Sequence, residues 1–189
     1  MRVLDVDGNL RRSGAMRRLA ELLAEADPVI ACAHGIDAGD AYAIATRFDR
    51  QWGYRGGEAL FWNSSLSARS VHDSYMPTAA LRPFDRRGLL RVDATYESAP
   101  LTLVATSLRD DRATRLRDLR FTRSVLRSIR GNAIAFVANA ARSRIGFADL
   151  AFETLDCDDY NLIVVRPSHA TPPPQTAGSQ EASASIARI

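Results

Sequence analysis

The sequence predicts an α/β protein in which a mixed sheet is flanked by helices. Three observations lead there: a strand–helix–strand unit at the start, several apolar runs of strand length, and a long amphipathic helix late in the chain. At 189 residues the chain fits one domain.

Arg2 to Val6 alternates apolar and polar residues and runs into Asp7-Gly8-Asn9, a turn-prone cluster, which reads as a strand entering a loop. From Ser13 to Ala26, Met16, Leu19, Ala20, Leu22, Leu23 and Ala26 recur at helical spacing, with Ser13 as N-cap. Asp27-Pro28 stops that helix, and Val29 to Ala33 is apolar throughout, the pattern of a strand covered on both faces.

A second helix is expected over Ala38 to Phe48, and a strand over Glu58 to Trp62 after the Gly56-Gly57 break. A polar serine-rich loop with Asn63, Ser64, Ser65 and His72 is expected next. Gly88 to Thr95 and Leu101 to Thr106 read as an antiparallel hairpin joined through Glu97 to Pro100. Asp110 to Arg130 is amphipathic and stops at Gly131, and Ala133 to Ala138 and Tyr160 to Val165 are two further strands. The domain is expected over residues 1–166. Residues 167–189, rich in Pro, Ser and Ala, lack the apolar side chains to offset their ordering entropy and read as a disordered tail.

No stretch approaches the roughly 20 apolar residues of a membrane helix, and the N-terminus does not read as a secretory signal, so the expected location is the cytoplasm. Cys32 and Cys157 show no CxxC spacing and read as small buried hydrophobes. Net charge is +3, and all 25 basic residues are arginine. Arginine suits bidentate phosphate contacts, but a GC-rich genome favours its codons whatever the function.

The order of these elements, with Asp-Pro-x-Ile, Gly-x-Ala-Leu, Arg-x-Leu-Leu-Arg-Val and Leu-Thr-Leu-Val-Ala-Thr segments, resembles the endonuclease/exonuclease/phosphatase superfamily from about Arg2 to Val165. The resemblance implies two packed mixed/antiparallel β-sheets flanked by helices, a compact four-layer α/β/β/α sandwich. It also implies Mg²⁺- or Mn²⁺-dependent phosphoester cleavage.

Carried onto this chain, the family's first-strand Asn matches Asn9, and its metal-binding Glu falls on His34 or, with a shifted gap, on Gly35, with Asp37 the nearby carboxylate. The family's catalytic His falls on Ser107, and its Gly-Asp-Phe-Asn motif falls on Phe136 to Asn139, which keeps Asn139 and puts Val137 in place of the Asp. Hard Mg²⁺ prefers oxygen ligands, and a phosphodiester needs a base to activate water. Neither Ser107 nor Val137 supplies that base. The expected function is therefore a degenerate domain, working as a binding or regulatory module with no resident cofactor.

Two alternatives stay open. One is a divergent metal-dependent phosphoesterase rebuilt from Asp5, Asp7, Asp37 and His34 around Asn9. The other is a nucleic-acid-binding domain using Arg112, Arg115, Arg117, Arg120, Arg123, Arg127 and Arg130, against which stands a solvated helical face with local ion pairs to Asp110, Asp111 and Asp118. Arg87 could meet a phosphate or pair with Asp85 or Asp93, and Asn9, Asn139 and His34 each also read as ordinary loop residues. The expected partner is a phosphate-containing ligand or a nucleic acid, and no membrane.

Overall fold

The computed structural model describes residues 1–6, 15–75, 88–109, 111–140, 153–156 and 162–166. Its elements are β1 (Val3–Val6), α1 (Ala15–Ala26), β2 (Ile30–His34), α2 (Ala38–Arg47), β3 (Gln51–Arg55), β4 (Glu58–Trp62), β5 (Leu66–Tyr75), β6 (Gly88–Tyr96), β7 (Ala99–Ser107), α3 (Arg112–Ser128), β8 (Asn132–Ala138), β9 (Glu153–Asp156) and β10 (Leu162–Arg166). Asn9, Ser13, Arg87, Cys157 and the 167–189 tail lie outside the described residues.

The strands form two sheets, one of four strands in the order β1-β2-β4-β3 and one of six in the order β5-β6-β7-β8-β10-β9. Each contains a single parallel pair, β1 with β2 and β7 with β8, because a helix crosses over between those strands. The other pairs are antiparallel.

Three apolar clusters separate four layers. Leu19 and Leu23 of α1 and Ile44 of α2 meet Ala31, Ala33 and Phe61 on the outer face of the first sheet. Leu119 and Leu126 of α3 meet Val104, Ala135 and Val137 on the outer face of the second. Between the sheets, Ile30, Cys32, Leu60 and Trp62 face Leu90, Leu103, Ile134 and Phe136. The expected α/β/β/α sandwich is the observed fold.

Local sequence explains the turns. Gly56 (φ 55°) and Gly57 (φ 98°) close the β3–β4 hairpin, and Glu97 (φ 49°) and Ser98 (φ 65°) close β6–β7, both with the two left-handed residues a tight hairpin requires. Asp27 (φ 37°) ends α1 ahead of Pro28.

Three strands depart from the expectation. β5 (Leu66–Tyr75) takes in His72 of the expected serine-rich loop, and β3 and β9 were not read as strands at all. All three are edge strands. An edge strand has one hydrogen-bonded neighbour and little apolar content: within β5, Ser67, Arg69 and residues 71–74 are exposed, so no buried-strand signal marks it.

Candidate functional site

Side-chain alternation along the buried strands delivers a set of polar groups to one rim of the cleft between the sheets. In β2, Ala31 and Ala33 turn to the helices while Ile30 and Cys32 turn to the second sheet, so His34 follows them inward. Asp5 pairs with Cys32 across the parallel ladder, and Glu58 pairs with His34 across the antiparallel one, which puts all three on the same face. From the second sheet, Ser107 continues the inward row of Leu101, Leu103 and Ala105.

These side chains touch. His34 is 1% exposed and its Nδ1 bonds Glu58 Oε2, while the other carboxylate oxygen of Glu58 accepts the Ser107 hydroxyl at 2.6 Å. Nε2 of His34 lies 3.1 Å from Asp5 Oδ1 and 3.6 Å from Cys32 Sγ. The Asp5 carboxylate is fully buried, so the exposed part of that residue is its backbone, and Oδ1 sits close to the ring nitrogen but out of hydrogen-bonding line.

Burial acts most strongly on His34 and disfavours its charged form, yet Cys32, Glu58 and Asp5 together hold its pKa well above the ordinary value. Burial pushes the Cys32 thiol up to about 12, so the sulfur is neutral near pH 7. The two carboxylates are therefore what keeps the proton on His34.

The other expected site residues are placed differently. Asp37 is exposed and caps α2, accepting the Asp40 N–H at 2.8 Å, so it does not join the rim. A helix start leaves backbone N–H groups without partners, and Asp is a favoured residue to satisfy them. Asn139 ends β8 in a left-handed conformation (φ 57°) and donates through Nδ2 to the Leu108 carbonyl at 3.2 Å, bracing the neighbouring strand ends. Val137 belongs to the core under α3, on the opposite face of β8 from the cleft. Asn9 and Arg87 fall outside the described residues. Asp93 pairs with Arg91 at 3.0 Å and accepts from Thr102 at 2.8 Å.

The sequence reading missed Glu58 and took Cys32 only as a buried hydrophobe. The signal for Glu58 was present: it lies two and four residues before Leu60 and Trp62, so strand parity turns it inward with them. On α3, Asp118 does not lie on an outer face as expected, and Asp110 falls outside the described residues. Asp111 caps the helix through Thr114, and Asp118 is fully buried beside Arg109, leaving Arg112, Arg117, Arg120, Arg127 and Arg130 on the exposed side.

No protein-family model matches the chain, and no curated protein sequence does. Solved structures do resemble it. Humanized D. rerio TDP2 is 14% identical, with a TM-score of 0.70 over 90% of this chain and 85% of that one. D. rerio TDP2 complexed with a single strand DNA product is 16% identical, with a TM-score of 0.69 over 91% and 84%. An endonuclease/exonuclease/phosphatase from Bacteroides vulgatus is 10% identical, with a TM-score of 0.67 over 87% and 85%.

The rim residues do not suit the magnesium ion such a fold implies. Mg²⁺ takes oxygen ligands in octahedral geometry, whereas Asp5, Cys32 and His34 offer a single carboxylate, one sulfur and one nitrogen, and Glu58 is engaged on both oxygens. The chain has the fold of the endonuclease/exonuclease/phosphatase proteins, with a histidine-centred cluster at the rim of the cleft between its sheets.

Proposed function

We propose that this chain is a phosphoesterase-fold domain that does not hydrolyse phosphoesters by the magnesium route and works as a binding or regulatory module. One observation carries the reading: both oxygens of Glu58 are taken up, one by His34 and one by Ser107. A hard cation needs carboxylate oxygens facing it, and the remaining rim carboxylate, Asp5, stands beside the softer donors of Cys32 and His34. Ser107 donates its hydroxyl proton to Glu58, which leaves it as a tie between the sheets and not as a base for water.

The test is a phosphodiesterase assay on the full chain with Mg²⁺ and with Mn²⁺, using bis(p-nitrophenyl) phosphate and single-stranded DNA. Turnover at the level of buffer is expected. Robust turnover that Asp5→Asn or Glu58→Gln removes overturns the reading in favour of a divergent metal-dependent phosphoesterase.

The arrangement of α3 favours nucleic acid as a second reading of what the module binds. With Asp118 turned inward and Asp111 capping, four arginines, Arg112, Arg117, Arg120 and Arg127, are exposed along α3, and Arg130 follows just beyond its end. Binding through phosphate contacts falls steeply with salt. A shift of labelled DNA or RNA at low salt, lost as salt rises and weakened in an Arg117→Ala/Arg120→Ala double variant, supports this reading. No shift at low salt dismisses it.

A further inference from the structure

We propose that Asp5, Cys32 and His34 form a binding site for a borderline-soft divalent transition metal of the zinc class, with Glu58 orienting the histidine behind it. The inference rests on the reading that this cleft has left magnesium chemistry, and it concerns what the substituted residues do instead.

Geometry is the first argument. A tetrahedral ion with bonds of about 2.0–2.3 Å separates neighbouring ligand atoms by about 3.3–3.8 Å. His34 Nε2 lies 3.1 Å from Asp5 Oδ1 and 3.6 Å from Cys32 Sγ, and the three donor atoms all lie within 4.8 Å of one another. Strand registry fixes this: Asp5 and Cys32 are ladder partners, and His34 is two residues along the same face of β2.

The second argument is the group behind the ring. A metal-bound imidazole commonly donates its other N–H to a carboxylate, which fixes the ring and strengthens it as a ligand. Glu58 Oε2 occupies that place on Nδ1, and Ser107 in turn holds Oε1 at 2.6 Å. Nε2, the nitrogen left over, is the one that faces Asp5 and Cys32.

The third argument is an unmet carboxylate. Neither oxygen of the buried Asp5 has a hydrogen-bond donor in line among the described residues, so the cluster holds a desolvated acceptor beside the other two donor atoms. Thiolate and imidazole donors select zinc-class ions over magnesium. On binding, the Nε2 proton of His34 and the thiol proton of Cys32 leave to solvent, and no oxidant or reductant is involved. Three protein ligands leave a fourth position for water or for an anionic group of a bound ligand.

The full chain, stripped with a chelator and reloaded, is titrated with Zn²⁺ by calorimetry and with Co²⁺ by absorption spectroscopy. One ion per chain is expected, unmoved by millimolar Mg²⁺, with a thiolate-to-cobalt charge-transfer band in the Co²⁺ form. Cys32→Ser should remove that band and lower Zn²⁺ affinity at least about tenfold. Glu58→Gln should lower it by about 10- to 100-fold through the histidine. Asp37→Asn, at the α2 cap, should leave it unchanged. No stoichiometric Zn²⁺ binding, displacement by Mg²⁺, or a Co²⁺ spectrum lacking the sulfur band in the wild-type chain overturns the proposal without reference to any variant's folding. Metal binding is read separately from phosphoester turnover, so failure here and failure of the functional reading are distinct results.

Discussion

Ser107 at the end of β7 donates its hydroxyl to Glu58 at the start of β4 at 2.6 Å, and this bond ties the second sheet to the first at the rim of the cleft. Removing the donor leaves a buried carboxylate oxygen without its partner. Ser107→Ala should therefore destabilise the fold by about 1–3 kcal/mol, measured by urea unfolding. A value near zero would mean that another group takes the oxygen over.

His34 gives the metal-free chain a pH dependence of stability. Its folded pKa is held well above the ordinary value of about 6.5, so the protonated ring favours the folded state. That contribution is fully present below about pH 6.5 and is lost as pH rises through the raised folded value. Unfolding free energies in chelator across that range should fall with rising pH, and Glu58→Gln should flatten the slope because it removes one of the two carboxylates. A slope unchanged by Glu58→Gln would place its origin elsewhere.

Gly88 of β6 packs against Arg55 of β3 in the first sheet. A Cβ at that position would lie 2.3 Å from Cγ and 3.2 Å from Cβ of Arg55, too near its backbone to swing clear. Arg55 reaches from β3 to Asp73 on β5 at 2.6 Å, so its displacement breaks a contact between the sheets. Gly88→Ala should destabilise by about 1–3 kcal/mol, and a background of Arg55→Ala should recover most of that loss in a double-mutant cycle.

Asp118 is fully buried on the inner side of α3, where Oδ2 accepts the Arg109 backbone N–H at 3.3 Å and lies 3.7 Å from its Nε. Asp118→Ala leaves a buried guanidinium without this carboxylate and should destabilise by about 3–5 kcal/mol, visible as a lowered unfolding midpoint. Asp118→Ala combined with Arg109→Met, which removes the charge and keeps apolar volume, should be less destabilised than Asp118→Ala alone.

Much of the architecture was legible in the residues themselves. The apolar runs of β2, β4 and β8 are central strands covered on both faces, and burial of that kind demands a continuous hydrophobic sequence. The spacing in α1 identified its inward face for the same reason, with Leu19, Ala20, Leu22, Leu23 and Ala26 all buried, whereas Leu116 of α3, expected on the inner face, is exposed. Edge strand β5 faces water along much of its length and edge strand β3 is mostly half-buried, so neither needs a continuous apolar run and both were missed.

The candidate site was legible only in part. Sequence marked His34 and Ser107 as substituted positions and offered, as one alternative, a site joining Asp5 to His34; it also offered Asp37, which the fold uses as a helix cap. Asp5, Cys32, His34 and Glu58 were each visible as residues, yet their meeting depends on ladder registry between strands up to 53 positions apart in the chain, from Asp5 to Glu58. The sequence by itself determined which strands are buried and which way alternate side chains turn, because periodicity and hydrophobicity are local properties. Only the tertiary structure decided that two carboxylates and a thiol converge on one imidazole, because registry and sheet packing set distances that no local pattern encodes.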